Sequence, residues 1–191
     1  GNSLEVIESI DVLKGKGHLD TRNLVILQGS ALLLMSGVVE NIPEGESLIE
    51  QVLDNGSALT KFNEMCLQQG VNDEIAHQLC KDPLSVLPLS GQKINIISQH
   101  SGYVNSIDSM ALAEIARKHG AGRFNIEDII IPDVGFIIKK HLGEKIESGQ
   151  CWLEFYYSHQ PTDDEIEQLS RSITVSKSFS GKQSRLIAVV E

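Results

Sequence analysis

The segment Gly143-Glu144-Lys145-Ile146-Glu147-Ser148-Gly149-Gln150, with the alternating residues that follow it, constrains the fold more than any other part of this chain. Gly143 and Gly149 give the backbone the freedom that tight turns need. Leu153, Phe155 and Tyr157 then alternate with Trp152, Glu154 and Tyr156, which is the period-2 pattern of a strand. An earlier run, Gly102-Tyr103-Val104-Asn105-Ser106-Ile107-Asp108, has the same shape. The two read as glycine-punctuated hairpin halves with a helix-like stretch, residues 109–119, between them.

The residues before these segments have helical spacing. Ser3 can cap a first helix carrying Leu4, Ile7, Ile10 and Leu13, with Glu5 and Glu8 in its early turns, and Gly15 and Gly17 end it. A second helix runs from Asp20 or Thr21 to about Ser36. Leu24, Leu27, Ala31 and Leu34 line one side of it and Val25, Leu32 and Met35 the flanks, so wide an apolar surface that burial on several sides is expected. After the break at residues 41–45, Ser47 opens a third helix through Leu48, Val52 and Leu53. Ser57 caps a fourth, with Leu59, Phe62, Met65 and Cys66, and residues 73–79 form a fifth. Pro83, Pro88, Ser85, Ser90 and Gly91 then break regular structure and mark a boundary.

Beyond it the pattern turns to strands, at residues 93–98, 102–107, 129–131, 151–157 and 184–190, with helices at 109–119 and 162–173. Thr162 with Glu165 three residues later is a capping box for the second of these helices. The expected class is α/β (α+β), with a helical part over residues 1–85 and a strand-rich part over 92–191. Tyr103, Val104, Ile107, Leu112, Ile115, Val134, Ile137, Ile146, Trp152 and Phe155 are the expected core of the latter. The 191 residues suffice for one large or two small domains and can bury roughly 70% of the unfolded surface.

Charge limits the partners. A net charge of −10 argues against nucleic acid and anionic membrane, which are bound through clustered Lys and Arg. Arg117-Lys118-His119 with Arg123 is the one basic cluster, and it reads more simply as cations at a helix C-terminus. No apolar run reaches the ~18 residues that span a bilayer. The opening Gly-Asn-Ser-Leu-Glu is not the basic-then-apolar order of a signal peptide, and the missing initiator Met reads as a processed chain or a fragment. Cys66, Cys80 and Cys151 stand far apart without a CxxC pair, as reduced thiols of a cytoplasmic protein do.

Catalytic constellations are not found. Of the six histidines, His77 alone stands within four residues of another metal-competent His or Cys, Cys80, and a core thiol beside a surface imidazole explains that pair. Gly120-Ala121-Gly122 reads as a helix C-cap with a turn. No catalytic residue is assigned, and substrate-binding residues stay unknown.

The two glycine-marked segments resemble the split halves of a small barrel-sandwich of the lipoyl and biotinyl type, a fold used by swinging-arm carriers and by the accessory module of pyrimidine nucleoside phosphorylases. A carrier needs a lysine at its hairpin tip. The corresponding Asn105-Ser106-Ile107-Asp108-Ser109-Met110 has none, and Lys145 reads as a surface lysine. The remaining likeness is to the phosphorylases. Gly1-Asn2-Ser3-Leu4-Glu5-Val6-Ile7-Glu8 resembles the Gly-Asn-Ala-Leu-Glu-Val-x-Glu segment of the thymidine and pyrimidine nucleoside phosphorylase family. The similarity continues in Leu53-Asp54-Asn55-Gly56-Ser57-Ala58, Gly102-Tyr103-Val104, Gly120-Ala121-Gly122-Arg123, Asp133-Val134-Gly135-Phe136 and Gly143-Glu144-Lys145-Ile146, in order along the chain.

That resemblance implies the C-terminal portion of an enzyme that cleaves thymidine or uridine with inorganic phosphate, giving the base and a pentose 1-phosphate. Residues 1–85 would be the helical remainder of its α/β domain and 92–191 its terminal accessory domain. The family's phosphate loop and pyrimidine-holding residues lie before the Gly-Asn-x-Leu-Glu-Val segment. The implied partners are the N-terminal portion of the same enzyme and a second copy in a homodimer, in the cytoplasm. No organic cofactor is implied, and a monovalent cation is, with Glu8 as one ligand; alternatively Glu8 serves the helix or an exposed ion pair. A module that kept the accessory fold without catalysis is the competing reading.

Overall fold

A computed structural model describes residues 2–179 and 181. The chain is mixed helix and antiparallel sheet and divides into two compact units. One comprises Glu5–Leu87; the other takes the chain from Pro88 onward together with the residues up to Leu4. The expected strand at 184–190 lies outside the described residues.

The first unit is helical: α1 (Asn2–Leu13), which begins in the other unit, α2 (Leu19–Met35), α3 (Ile42–Asp54), α4 (Ser57–Gln68) and α5 (Asp73–Lys81). His18 Nδ1 accepts the backbone N–H of Asp20 and so caps α2, leaving the glycines before it to end α1. Helix α3 begins five residues before the Ser47 start that the sequence suggests. Asn41 Oδ1 accepts the N–H of Glu44, and Pro43 occupies the first turn, where a missing N–H costs nothing. Two small cores hold the unit: Val12, Ile26 and Leu53 in one, Ile10, Cys66, Ala76 and Leu79 in the other.

Helix α2 departs from expectation. Instead of being buried on several sides it is covered along one stripe, with Ile26 and Ser30 buried, whereas Leu32 is 65% and Met35 82% exposed. The covered stripe follows the contact with α3. There a Cβ on Gly45 would stand 2.9 Å from Ser30 Cα, and one on Gly29 2.8 Å from Ile49 Cδ1, so the two backbones approach as only glycine permits. On the opposite side, at helical spacing, Leu24 and Ala31 are half-buried and Leu32 and Met35 exposed.

The second unit holds two three-stranded antiparallel sheets. Strands β1 (Lys93–Ile97), β5 (Cys151–Tyr156) and β3 (Gly135–Ile138) form one in the order β1-β5-β3. Strands β4 (Lys145–Ile146), β2 (Gly102–Ile107) and β6 (Ile173–Ser176) form the other in the order β4-β2-β6. The glycine-marked segments are therefore not hairpins. The turn after β4, which contains Gly149, hands the chain from β4 in one sheet to β5 in the other, and β2 runs straight into α6 (Ser109–Ala116), whose first turn is capped by Asp108. Residues 129–131 form no strand; Pro132 follows them and Ile129 is exposed. The α7 helix (Asp163–Arg171) stops before Ile173, which belongs to β6.

Val104, Leu112, Ile115, Val134, Ile146, Trp152, Leu153, Phe155 and Leu169 lie between the sheets and helices as one core, whereas Tyr103 is exposed and Ile107 and Ile137 are half-buried. Trp152 is buried although its alternation partner Glu154 faces Lys93 and Lys139. The register explains this: Ile96 opposes Leu153 and Ile97 opposes Cys151, so Trp152 is the extra residue of a bulge, which re-aims its side chain.

Candidate functional site

Glu8, the one metal-ligand candidate from sequence, stands on the outer side of α1. Its carboxylate is exposed and accepts a hydrogen bond from Thr21 Oγ1 at 3.1 Å, tying α1 to α2. Among the described residues no group of three ligand-type side chains includes it. In this chain the carboxylate thus acts as a helix-to-helix tether, with lone pairs left toward solvent. Close by in the same unit Arg22 pairs with Asp54 at 2.9 Å and fixes the other end of the α2–α3 packing.

The remaining sequence candidates separate. Lys145 is a surface lysine paired with Glu147 at 3.1 Å. The residues 105–110, read above as a tip, end a strand and start a helix, and Asp108 Oδ1 accepts the N–H groups of Met110 and Ala111 at 3.1 Å each. His77 is exposed whereas Cys80 is buried, so the two do not face a common ligand position. Burial also pushes the Cys80 thiol up, and the neighbouring Cys66 adds to the effect.

The run Arg117-Lys118-His119 is not a uniform basic surface. Helix α6 ends in a wide turn, Arg117–Ala121, closed by Gly120 at φ +96°. Arg117 lies over the Phe124 ring at 4.1 Å, while His119 points inward and is 1% exposed. Its ring meets Phe155 edge-on at 4.8 Å and stacks on exposed His159 at 4.0 Å with 7° between planes. Nε2 is 3.5 Å from Glu165 Oε2, and neither ring nitrogen has a hydrogen-bond partner among the described residues. Burial lowers the basicity of His119, and like charge on His159 lowers it further against the pull of Glu165. For Glu165, burial works to raise the carboxyl pKa, but the Thr162 backbone and hydroxyl donors outweigh it and the net direction is down. Sequence reasoning passed over His119 because of its charged neighbours. The signal was there: Leu112, Ile115 and His119 stand at i, i+3 and i+7 on one helical face.

The described residues include no helix long and apolar enough to cross a membrane. Residues 103–176 match the pyrimidine nucleoside phosphorylase C-terminal domain. The chain is 33% identical over 176 residues to a pyrimidine-nucleoside phosphorylase of Staphylococcus aureus strain bovine RF122 / ET3-1, and 32% identical over the same length to that of strain USA300. Each alignment covers 92% of this chain and 40% of the relative, so the chain spans less than half the length of these relatives. The ordered glycine, Asp-Val-Gly-Phe and Leu-Glu-Val elements and these similarities agree: over residues 103–176 the chain carries the C-terminal domain of the pyrimidine nucleoside phosphorylases.

Proposed function

We propose that this chain is the C-terminal portion of an enzyme that phosphorolyses pyrimidine nucleosides, transferring the pentosyl group of thymidine or uridine to inorganic phosphate. The observation that carries the reading is one-third identity to pyrimidine-nucleoside phosphorylases sustained over 92% of the chain. In such an enzyme, phosphate is positioned against the anomeric carbon while negative charge developing on the departing pyrimidine is stabilised. The described residues hold no constellation for either task, so those groups would come from the N-terminal portion of the polypeptide. The exposed apolar residues of α2 support this, because Leu32 and Met35 offer a surface that a further part of the polypeptide would cover. The whole enzyme would work in the cytoplasm as a homodimer, with no organic cofactor.

Glu8 is the residue that would join this chain to the catalytic cleft, as one ligand of a monovalent cation beside the phosphate. Steady-state release of base from thymidine and uridine, in the full-length polypeptide across a potassium series, tests both proposals. The enzyme should turn over both or one of the nucleosides with phosphate, and this chain alone neither. Glu8→Gln should lower turnover at low potassium and recover it in part at high potassium. Absence of phosphorolysis from the full-length protein overturns the enzymatic reading. Active enzyme with unchanged rates for Glu8→Gln at every potassium concentration leaves that reading intact and reduces Glu8 to the Thr21 tether.

A further inference from the structure

The imidazole of His119 is a titratable group sealed inside the second unit, and neither of its ring nitrogens has a hydrogen-bond partner among the described residues. Three titratable side chains face it: His159, from the segment after β5, stacked on its ring; Glu165, from the first turn of α7, at 3.5 Å from Nε2; and Lys118 on its own turn. Phe155, from β5, closes the remaining side with carbon. The chain segment over this pocket is held by few bonds. Ser158 Oγ donates to His119 O at 3.0 Å, and the capping box of α7 follows, with Glu165 Oε2 accepting both the backbone N–H of Thr162 at 3.0 Å and its hydroxyl at 3.2 Å.

We propose that His119, closed beneath His159 and against Glu165, is a proton-operated latch that holds residues 158–165 on the second unit at neutral pH and releases them in mildly acidic medium. The physics follows from the acceptor count. A protonated His119 presents two N–H donors in a pocket with one acceptor in reach, Glu165 Oε2, which Thr162 already occupies twice. Nδ1–H finds none among the described residues. Either Glu165 turns away from Thr162 and the capping box breaks, or the imidazolium leaves the Phe155 and His159 faces for water. Both routes open the same stretch of chain.

The sign follows from linkage. The folded pocket disfavours the protonated imidazole, so the latch is at full strength above the ordinary histidine value near 6.5 and weakens as pH falls below it. If only the open form takes the proton, the open population rises up to about 30-fold between pH 7.5 and pH 5.0. The backbone N–H groups of Glu165, bonded to Thr162 Oγ1, and of Ile166, bonded to Thr162 O, report the opening directly.

Hydrogen–deuterium exchange of the intact chain across pH 5.0 to 7.5, corrected for intrinsic exchange, is the test. Protection at residues 165 and 166 should fall at least tenfold toward pH 5.0 while the β1–β5 ladder keeps its protection. The variant His119→Leu, which keeps the pocket filled with no titratable group, should hold protection flat across the range. Equal loss of protection in α7 and in the ladder, pH-independent protection in the wild-type chain, or a folded His119→Leu protein that still opens in acid would each overturn the proposal. Should His119→Leu fail to fold, the wild-type profile decides alone.

Discussion

Trp152 offers the sharpest test of how the second unit is held together. The side chain is 0% exposed in the common core, and its Nε1 has no hydrogen-bond partner among the described residues. Two substitutions separate these features. Trp152→Ala removes the ring and leaves a cavity that the packed strands around the bulge cannot collapse into, so about 3–5 kcal/mol should be lost. Trp152→Phe keeps an aromatic ring and removes roughly 40 Å³, which at about 24 cal/mol per Å³ of cavity costs near 1 kcal/mol. The same change deletes a buried donor whose lost solvation costs about 1–3 kcal/mol, so that penalty is relieved. The expected net change for Trp152→Phe therefore runs from roughly neutral to about 2 kcal/mol stabilising. Because Trp152 is the chain's single tryptophan, urea unfolding should be followed by circular dichroism rather than by indole fluorescence. A Trp152→Phe variant destabilised by more than ~3 kcal/mol, close to the alanine variant, would refute the reasoning and mean that the indole N–H is satisfied.

In the first unit, Gly45→Ala should destabilise by about 1–3 kcal/mol, because its Cβ would enter the space of the Ser30 backbone rather than a flexible side chain; a variant with unchanged urea midpoint would show that α2 and α3 separate at no cost. Thr162→Ala should lose about 1 kcal/mol at neutral pH by removing one side of the capping box. Its cost should shrink in acid: the donors that hold the Glu165 carboxyl pKa down contribute stability above the ordinary glutamate value of about 4.3, and that contribution is lost as pH falls through the folded-state value. Thermal unfolding of the variant and the wild type from pH 7 to pH 3 would display the two curves converging.

Where residues act locally, the sequence was informative. The end of α1 follows from Gly15, and Thr162 with Glu165 announces α7, because caps and left-handed glycines depend on neighbours a few positions away. Helix α3 was legible too, but Asn41-Ile42-Pro43 reads as a break unless Pro is recognised at a helix start. The short strands β3, β4 and β6 were not found in advance, since two to four residues carry too little periodicity and their pairing is settled by strands far away in sequence. For the same reason the covered side of α2 could not be told from its exposed side: with leucines all round, only the glycine contact with α3 selects the face. The Leu-Glu-Val-x-Glu likeness singled out Glu8, while its Thr21 partner depends on how two helices cross.

The strand orders β1-β5-β3 and β4-β2-β6 also govern how quickly this unit can assemble. Among the described strands, those that follow one another in the chain do not pair: Lys93 meets Tyr156, Gly102 meets Ile146 and Tyr103 meets Ser176. Each ladder thus closes a long loop before any hydrogen bond is gained, and chain entropy opposes every first contact. Among the described residues no hairpin is available to nucleate locally, so the folding rate should resemble that of an all-β domain more than that of the neighbouring helices. On a ribosome the consequence is one of order. The helical unit can form while the chain emerges, but β2 keeps an open edge until Ser176 has been made, and through that interval it depends on nothing else in the sheet but the two residues of β4 to keep it from pairing with other chains.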